Sequence, residues 1–126
     1  MLLVDTNILI DYLRQKSEAI AFVNHFGKGN LALSPIVIME VFQGVLNKAD
    51  FNRTQKALNG FAVLDLDTSV AQLAMQLQQH YVLSHQLSIP DAFIAATALI
   101  YNIELRTYNL KDFRFIPGIR LSDQLS

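Results

Sequence analysis

Four short apolar runs, at residues 2–4, 31–33, 62–64 and 103–106, are separated by longer stretches that carry helix signals. Short strands alternating with helices build a parallel sheet, because a parallel neighbour is reached only through a long crossover, and the crossover helices cover the sheet's faces. This pattern predicts a three-layer α/β/α fold around a short parallel sheet of four to five strands. The helix signals are local and chemical. Thr6 or Asn7 can cap an amphipathic stretch from residue 8 to about 14, and a second stretch covers residues 17 to about 26 before Gly27-Lys28-Gly29-Asn30 turns the chain. Ser34-Pro35 places a cap before a proline at the first helical position and opens a helix to about Val45. A polar helix from about residue 48 to 59 follows. Asp67-Thr68-Ser69 caps a long helix to about Tyr81, and Ile89-Pro90-Asp91 opens the last one, over residues 92–101.

The 126 residues suit one domain, residues 1–126, large enough for a continuous core and too short for two. Hydrophobic residues make up 52% and charged residues 17%. That is more apolar than a monomeric domain needs, so part of the surplus is expected to face a partner. No apolar stretch reaches the roughly 20 residues of a membrane span. The N-terminus also lacks the basic start and cleavage site of a signal peptide, so the expectation is a soluble, cytoplasmic protein. The absence of cysteine excludes disulfides, thiolate zinc sites and cysteine nucleophiles. A formal net charge of −1 neither suggests nor excludes a nucleic-acid substrate. Arg14, Lys48, Arg53, Lys56 and Arg106 are expected to form a local basic patch that the net count conceals.

In an open parallel sheet the ligand crevice lies at the carboxyl ends of the strands. Asp5 ends the first strand, Glu40 falls on the helix after the second, and Asp91 lies at the start of the helix before the fourth. The segment after the fourth strand, Thr107-Tyr108-Asn109-Leu110-Lys111-Asp112-Phe113, adds oxygen donors at Asn109 and Asp112. Clustered carboxylates repel one another unless a cation neutralises them, and for an all-oxygen set that cation is Mg²⁺ or Mn²⁺. Such an ion polarises a phosphoryl oxygen and activates water for in-line attack, so phosphodiester hydrolysis suits the arrangement. Each residue also has a plainer reading. Asp5 can be a helix cap, Glu40 a solvated side chain, Asp91 a favourable charge at a helix start, and Asn109 and Asp112 ordinary turn residues. Arg106 is a candidate contact to a substrate phosphate. Asp11 reads as part of a solvated helix face, and His25, His80 and His85, which share no metal-ligand spacing, as surface or core residues.

The order and spacing of these motifs resemble the PIN-domain nucleases and, within them, the small VapC-type toxins of prokaryotic toxin–antitoxin pairs. The matching segments are Val4-Asp5-Thr6-Asn7, Ser34-Pro35 followed by Met39-Glu40-Val41 and Gly44, Asp91-Ala92-Phe93-Ile94-Ala95-Ala96-Thr97-Ala98, and the run from Thr107 to Phe113. The resemblance implies a metal-dependent endoribonuclease in which Asp5, Glu40 and Asp91 hold Mg²⁺ or Mn²⁺, with Thr6, Asn7 and Thr107 as nearby polar support. It further implies an RNA substrate, a cognate antitoxin and a homodimer. Many family members carry aspartate where this chain has Asn109 and others carry asparagine; a neutral carbonyl can ligate but supplies no charge. Whether Asn109 or Asp112 completes the site is open at this level. Two other readings compete: a PIN-like binding module whose catalysis is lost at Asn109, and a receiver-like signalling domain. The second is disfavoured because Ala62-Val63-Leu64-Asp65 is followed by no matching phosphoacceptor pattern.

Overall fold

A computed structural model of the protein describes residues 1–125; Ser126, the last residue of the expected domain, lies outside the described residues. Five strands, β1 (Leu2–Val4), β2 (Leu31–Leu33), β3 (Ala62–Val63), β4 (Glu104–Arg106) and β5 (Leu121–Ser122), form one sheet in the order β3-β2-β1-β4-β5. Every pairing is parallel, with Leu3 opposite both Ala32 and Leu105 in the centre. Helices α1 (Thr6–Leu13), α2 (Ser17–Phe26), α3 (Pro35–Gln43), α4 (Lys48–Leu58), α5 (Thr68–His85) and α6 (Ile89–Tyr101) supply the crossovers and the outer layers. The central strands are apolar without alternation because both faces are covered. Leu3, Leu31, Ala32, Leu33 and Leu105 are all fully buried.

The expected three-layer α/β/α architecture is the one observed, and the differences are local. Asp5, rather than Thr6 or Asn7, is the cap of α1, its carboxylate accepting the Thr6 N–H at 2.8 Å. Helix α3 stops at Gln43, with Gly44 as its cap, short of Val45. Helix α5 runs past Tyr81 to His85 and ends where Gln86 enters the left-handed region at φ 54°. The extra turn packs: Tyr81 and His85 both meet the Phe115 ring. Strand β5 carries no usable sequence signal, being two residues long, and is pinned by backbone bonds from Leu105 N–H to Arg120 C=O and from Thr107 N–H to Ser122 C=O. Among the described residues no helix is long and apolar enough to cross a membrane.

Chain order positions the site. From β1 the chain moves outward through β2 to β3, then returns across the sheet to β4 on the other side of β1. The strand order therefore reverses between β1 and β4, and a crevice opens at their carboxyl ends. Asp5 and Thr107 immediately follow these two strands.

Candidate metal centre

Asp5 is only 5% exposed, and its backbone N–H extends the β1–β4 ladder by bonding the Arg106 carbonyl at 3.0 Å. Its carboxylate has two donors: the Thr6 N–H on one oxygen and, at 2.7 Å, the fully buried Thr107 hydroxyl on the other. The Thr107 oxygen in turn accepts the Asn109 N–H at 3.0 Å, which fixes the hydroxyl's direction. Burial pushes the Asp5 carboxyl up from its ordinary value, against the lowering effect of these two bonds, and the charges of Glu40 and Asp112 push it up further.

The other acids arrive on helices. Ser34 caps α3, accepting the Ile36 N–H, with Pro35 as the first helical residue. Glu40 then lies in the second turn, where its Oε1 accepts the Thr6 hydroxyl at 2.9 Å. Ser88 caps α6 by accepting the Asp91 N–H, which places the Asp91 carboxyl in the first turn of that helix. Burial, together with the charges of Asp5, Asp112 and Glu40, raises Asp91 to about 6. Asp112 sits in a single 3₁₀ turn, residues Leu110–Asp112, after β4. Four carboxylates thus share one electrostatic environment at the switch point.

Of the two candidates for the fourth position, Asp112 lies with the acids, its charge acting on both Asp5 and Asp91. Asn109 is exposed, and its side chain makes no hydrogen bond among the described residues; only its N–H joins the network, through Thr107. Asn7 follows Thr6 in the first turn of α1 and is half-buried, with no side-chain hydrogen bond among the described residues. Arg106, expected at a substrate phosphate, is committed inside the fold instead. It bonds Glu104 and the Gln124 carbonyl, both at 2.6 Å, and lies over the Phe22 and Phe26 rings. Strand alternation sends this side chain to the α2 side, which the motif itself could not reveal. The expected basic patch accordingly divides. Arg14 and Arg53 border a groove that reaches Glu40, and Arg53 also pairs with Asp50 at 2.8 Å. Asp11 is not merely solvated: it accepts the Tyr108 hydroxyl at 2.9 Å and pairs with Lys16. His85, read from sequence as a surface or core residue, lines a cleft together with Asp91 and Asp112. The extra turn of α5 brings it there.

The donor set fits a hard cation. All four groups are carboxylates, none is in an ion pair with lysine or arginine among the described residues, and burial, followed by the charges of the other three, keeps Asp91 well above an ordinary aspartate. Among the described residues no three His, Cys, Asp or Glu side chains already close around a single point. Asp5, Glu40, Asp91 and Asp112 are the residues that would hold one.

A parallel α/β sheet with an acid-rimmed crevice at its switch point defines a class of domain suited to metal-assisted hydrolysis. The chain belongs to the PIN-domain family, whose family model matches residues 2–117. It is 30% identical to Ribonuclease VapC of Rickettsia bellii over 95% of this chain and 93% of that protein. It is 29% identical to the tRNA(fMet)-specific endonuclease VapC of Salmonella typhimurium, over 96% of each. Among solved structures it resembles a toxin–antitoxin complex from Klebsiella pneumoniae (TM-score 0.78, 36% identity, 94% of this chain and 95% of that one). It also resembles the DNA-bound VapBC of Salmonella typhimurium (TM-score 0.80, 25% identity, 96% of each chain).

Proposed function

We propose that this PIN domain is a metal-dependent endoribonuclease, the toxin of a toxin–antitoxin pair, with Asp5, Glu40, Asp91 and Asp112 holding Mg²⁺ or Mn²⁺. The observation that carries the reading is the convergence of four uncompensated carboxylates on the crevice between β1 and β4. The ribonuclease names of the VapC relatives support RNA as the substrate. When bound, the cation supplies polarisation of a phosphoryl oxygen and an activated water. The chain's own residues prepare that chemistry. Thr107 and the Thr6 N–H hold the Asp5 carboxylate in one orientation and favour its ionised form. The Thr6 hydroxyl fixes Glu40 relative to Asp5. Asp91, raised to about 6, is ionised at neutral pH, while below that pH protons compete for it with the cation.

The partner surfaces follow the same reading. A groove of about 790 Å³ lies among α1, α2, α3 and α4, with Ile10, Leu13, Ile20, Val41 and Val45 on its walls and Glu40 at its edge. It suits the apolar face of an antitoxin helix, which would reach the acids from there. Met75, Val82 and Leu83 on α5, with Ile89 opening α6, are exposed apolar side chains that offer a surface for a second copy. The alternative of an inactive binding module rests on Asn109, and it weakens because Asp112 supplies the charge that Asn109 lacks.

The test is cleavage of a mixed pool of cellular RNA by antitoxin-free protein with Mg²⁺ or Mn²⁺, with EDTA, and by Asp5→Ala. Cutting that needs the metal and vanishes in the variant is the expected result. Folded protein that cuts no RNA under any of these conditions leaves the binding module as the better reading.

A further inference from the structure

A cleft of about 410 Å³ opens between the C-terminal end of α5 and the segment that follows β4. Asp91 and Asp112 contribute to its wall, and the rest includes Lys111, Arg114, His85 and Phe115. The His85 ring lies flat on Phe115, with centroids 4.0 Å apart and planes 15° from parallel. Phe115 is braced from another side by Tyr81 at 5.0 Å, and the Ser84 hydroxyl is 2.8 Å from His85 Nδ1. His85 is nevertheless exposed. Its ring is packed on one face by Phe115 and met edge-on by Tyr81 at 5.7 Å, and the residue still presents surface to solvent. Lys111 and Arg114 are exposed too, and neither side chain forms an ion pair or hydrogen bond among the described residues.

An acid-rimmed centre repels the RNA backbone that it must admit, so cations beside the acids are needed to hold the phosphates on either side of the cut. Lys111 and Arg114 are placed for that, one on each side of Asp112 in sequence. A nucleobase of single-stranded RNA stacks on any accessible aromatic face, and a ring already immobilised loses little freedom when it does so. We propose that this cleft is a nucleotide subsite flanking the scissile phosphate, in which the His85–Phe115 stack receives an unpaired base and Lys111 and Arg114 hold the adjoining phosphates. The proposal rests on the reading of the chain as an RNA-cleaving enzyme and adds the residues that grip the nucleotide beside the cut.

The test is fluorescence anisotropy with fluorescein-labelled single-stranded U8 and A8 RNA in EDTA, so that binding is read without cleavage. His85→Ala should weaken binding about fivefold or more, as loss of one stacked base does, and His85→Phe should restore it. Lys111→Ala with Arg114→Ala should flatten the dependence of log K on log salt by about 0.7 for each phosphate that the protein no longer neutralises. His85→Ala binding as tightly as wild type, His85→Phe binding no better than His85→Ala, or an unchanged salt slope overturns the proposal. So does loss of antitoxin binding with RNA binding intact, which would make the cleft a protein-binding surface. The RNA-pool assay, run in parallel with Mn²⁺, separates the two levels. Metal-dependent cutting by wild type while the variants bind normally leaves the nuclease standing and removes the subsite. Wild-type protein that neither cuts nor binds RNA removes both.

Discussion

Asp91→Asn probes the electrostatics of the site without any substrate. In the native fold burial, followed by the charges of Asp5, Asp112 and Glu40, raises this carboxyl from 3.8 to about 6. The native state therefore binds the proton more tightly than the unfolded chain does. Stability falls as pH rises between those two values, and the whole cost is in place above the upper one. A difference of about two pH units is worth about 3 kcal/mol. Solvent reaching the half-buried carboxyl screens this to about half. Asparagine keeps the shape and removes the charge, forgoing about 0.3–1 kcal/mol of favourable interaction with the start of α6. The net gain is about 1 kcal/mol at pH 7.5, a rise of about 3–5 °C in Tm for a domain of this size. The assay is thermal unfolding by circular dichroism in EDTA at pH 7.5 and 4.5. The variant should be the more stable at pH 7.5, and its advantage should vanish or reverse at pH 4.5, where wild-type Asp91 is protonated. A variant no more stable than wild type at pH 7.5, or stabilised equally at both pH values, refutes the account of Asp91 as one of four uncompensated charges.

Asp112→Asn should reduce cleavage by at least about 10- to 100-fold, the loss that even a group one step removed from the ion shows, whereas Asn109→Asp should leave single-turnover rates nearly unchanged; the opposite ranking would return the fourth position to Asn109. Thr107→Val removes the hydroxyl that donates to Asp5 and leaves the Asn109 N–H without its acceptor. It should cost about 1–3 kcal/mol in urea unfolding. Because that bond favours ionised Asp5, its loss should also move the acid limb of the cleavage profile to higher pH. Saturating Mn²⁺ should raise the wild-type melting temperature, by the equivalent of about 2.7 kcal/mol at a hundredfold excess over Kd, and should have little effect on Asp5→Asn.

What the sequence made legible was whatever rests on local chemistry. Ser34-Pro35 and Ile89-Pro90-Asp91 announce helix starts through capping and proline geometry, and both helices form where those signals lie. The apolar runs at residues 2–4 and 31–33 are strands, as their shortness and the cap and turn residues that flank them indicate. Illegible was whatever depends on the direction of a side chain after the chain has closed. Arg106 and Thr107 are adjacent, yet one joins Glu104 and the aromatic rings of α2 while the other bonds Asp5. Residues next to each other in extended chain face opposite ways, and sequence gives the alternation without its phase. Asn109 and Asp112 were indistinguishable for the same reason, since a 3₁₀ turn decides which of them points back at the acids. His85 carries no local signal. Its role depends on the last turn of α5 and on Phe115, thirty residues further along, and the contact between them exists only once β4 has crossed to the far side of β1. The switch point that gathers the acids also gathers the groups around them, so a motif that finds the carboxylates marks where the crevice is while leaving its other walls to the topology.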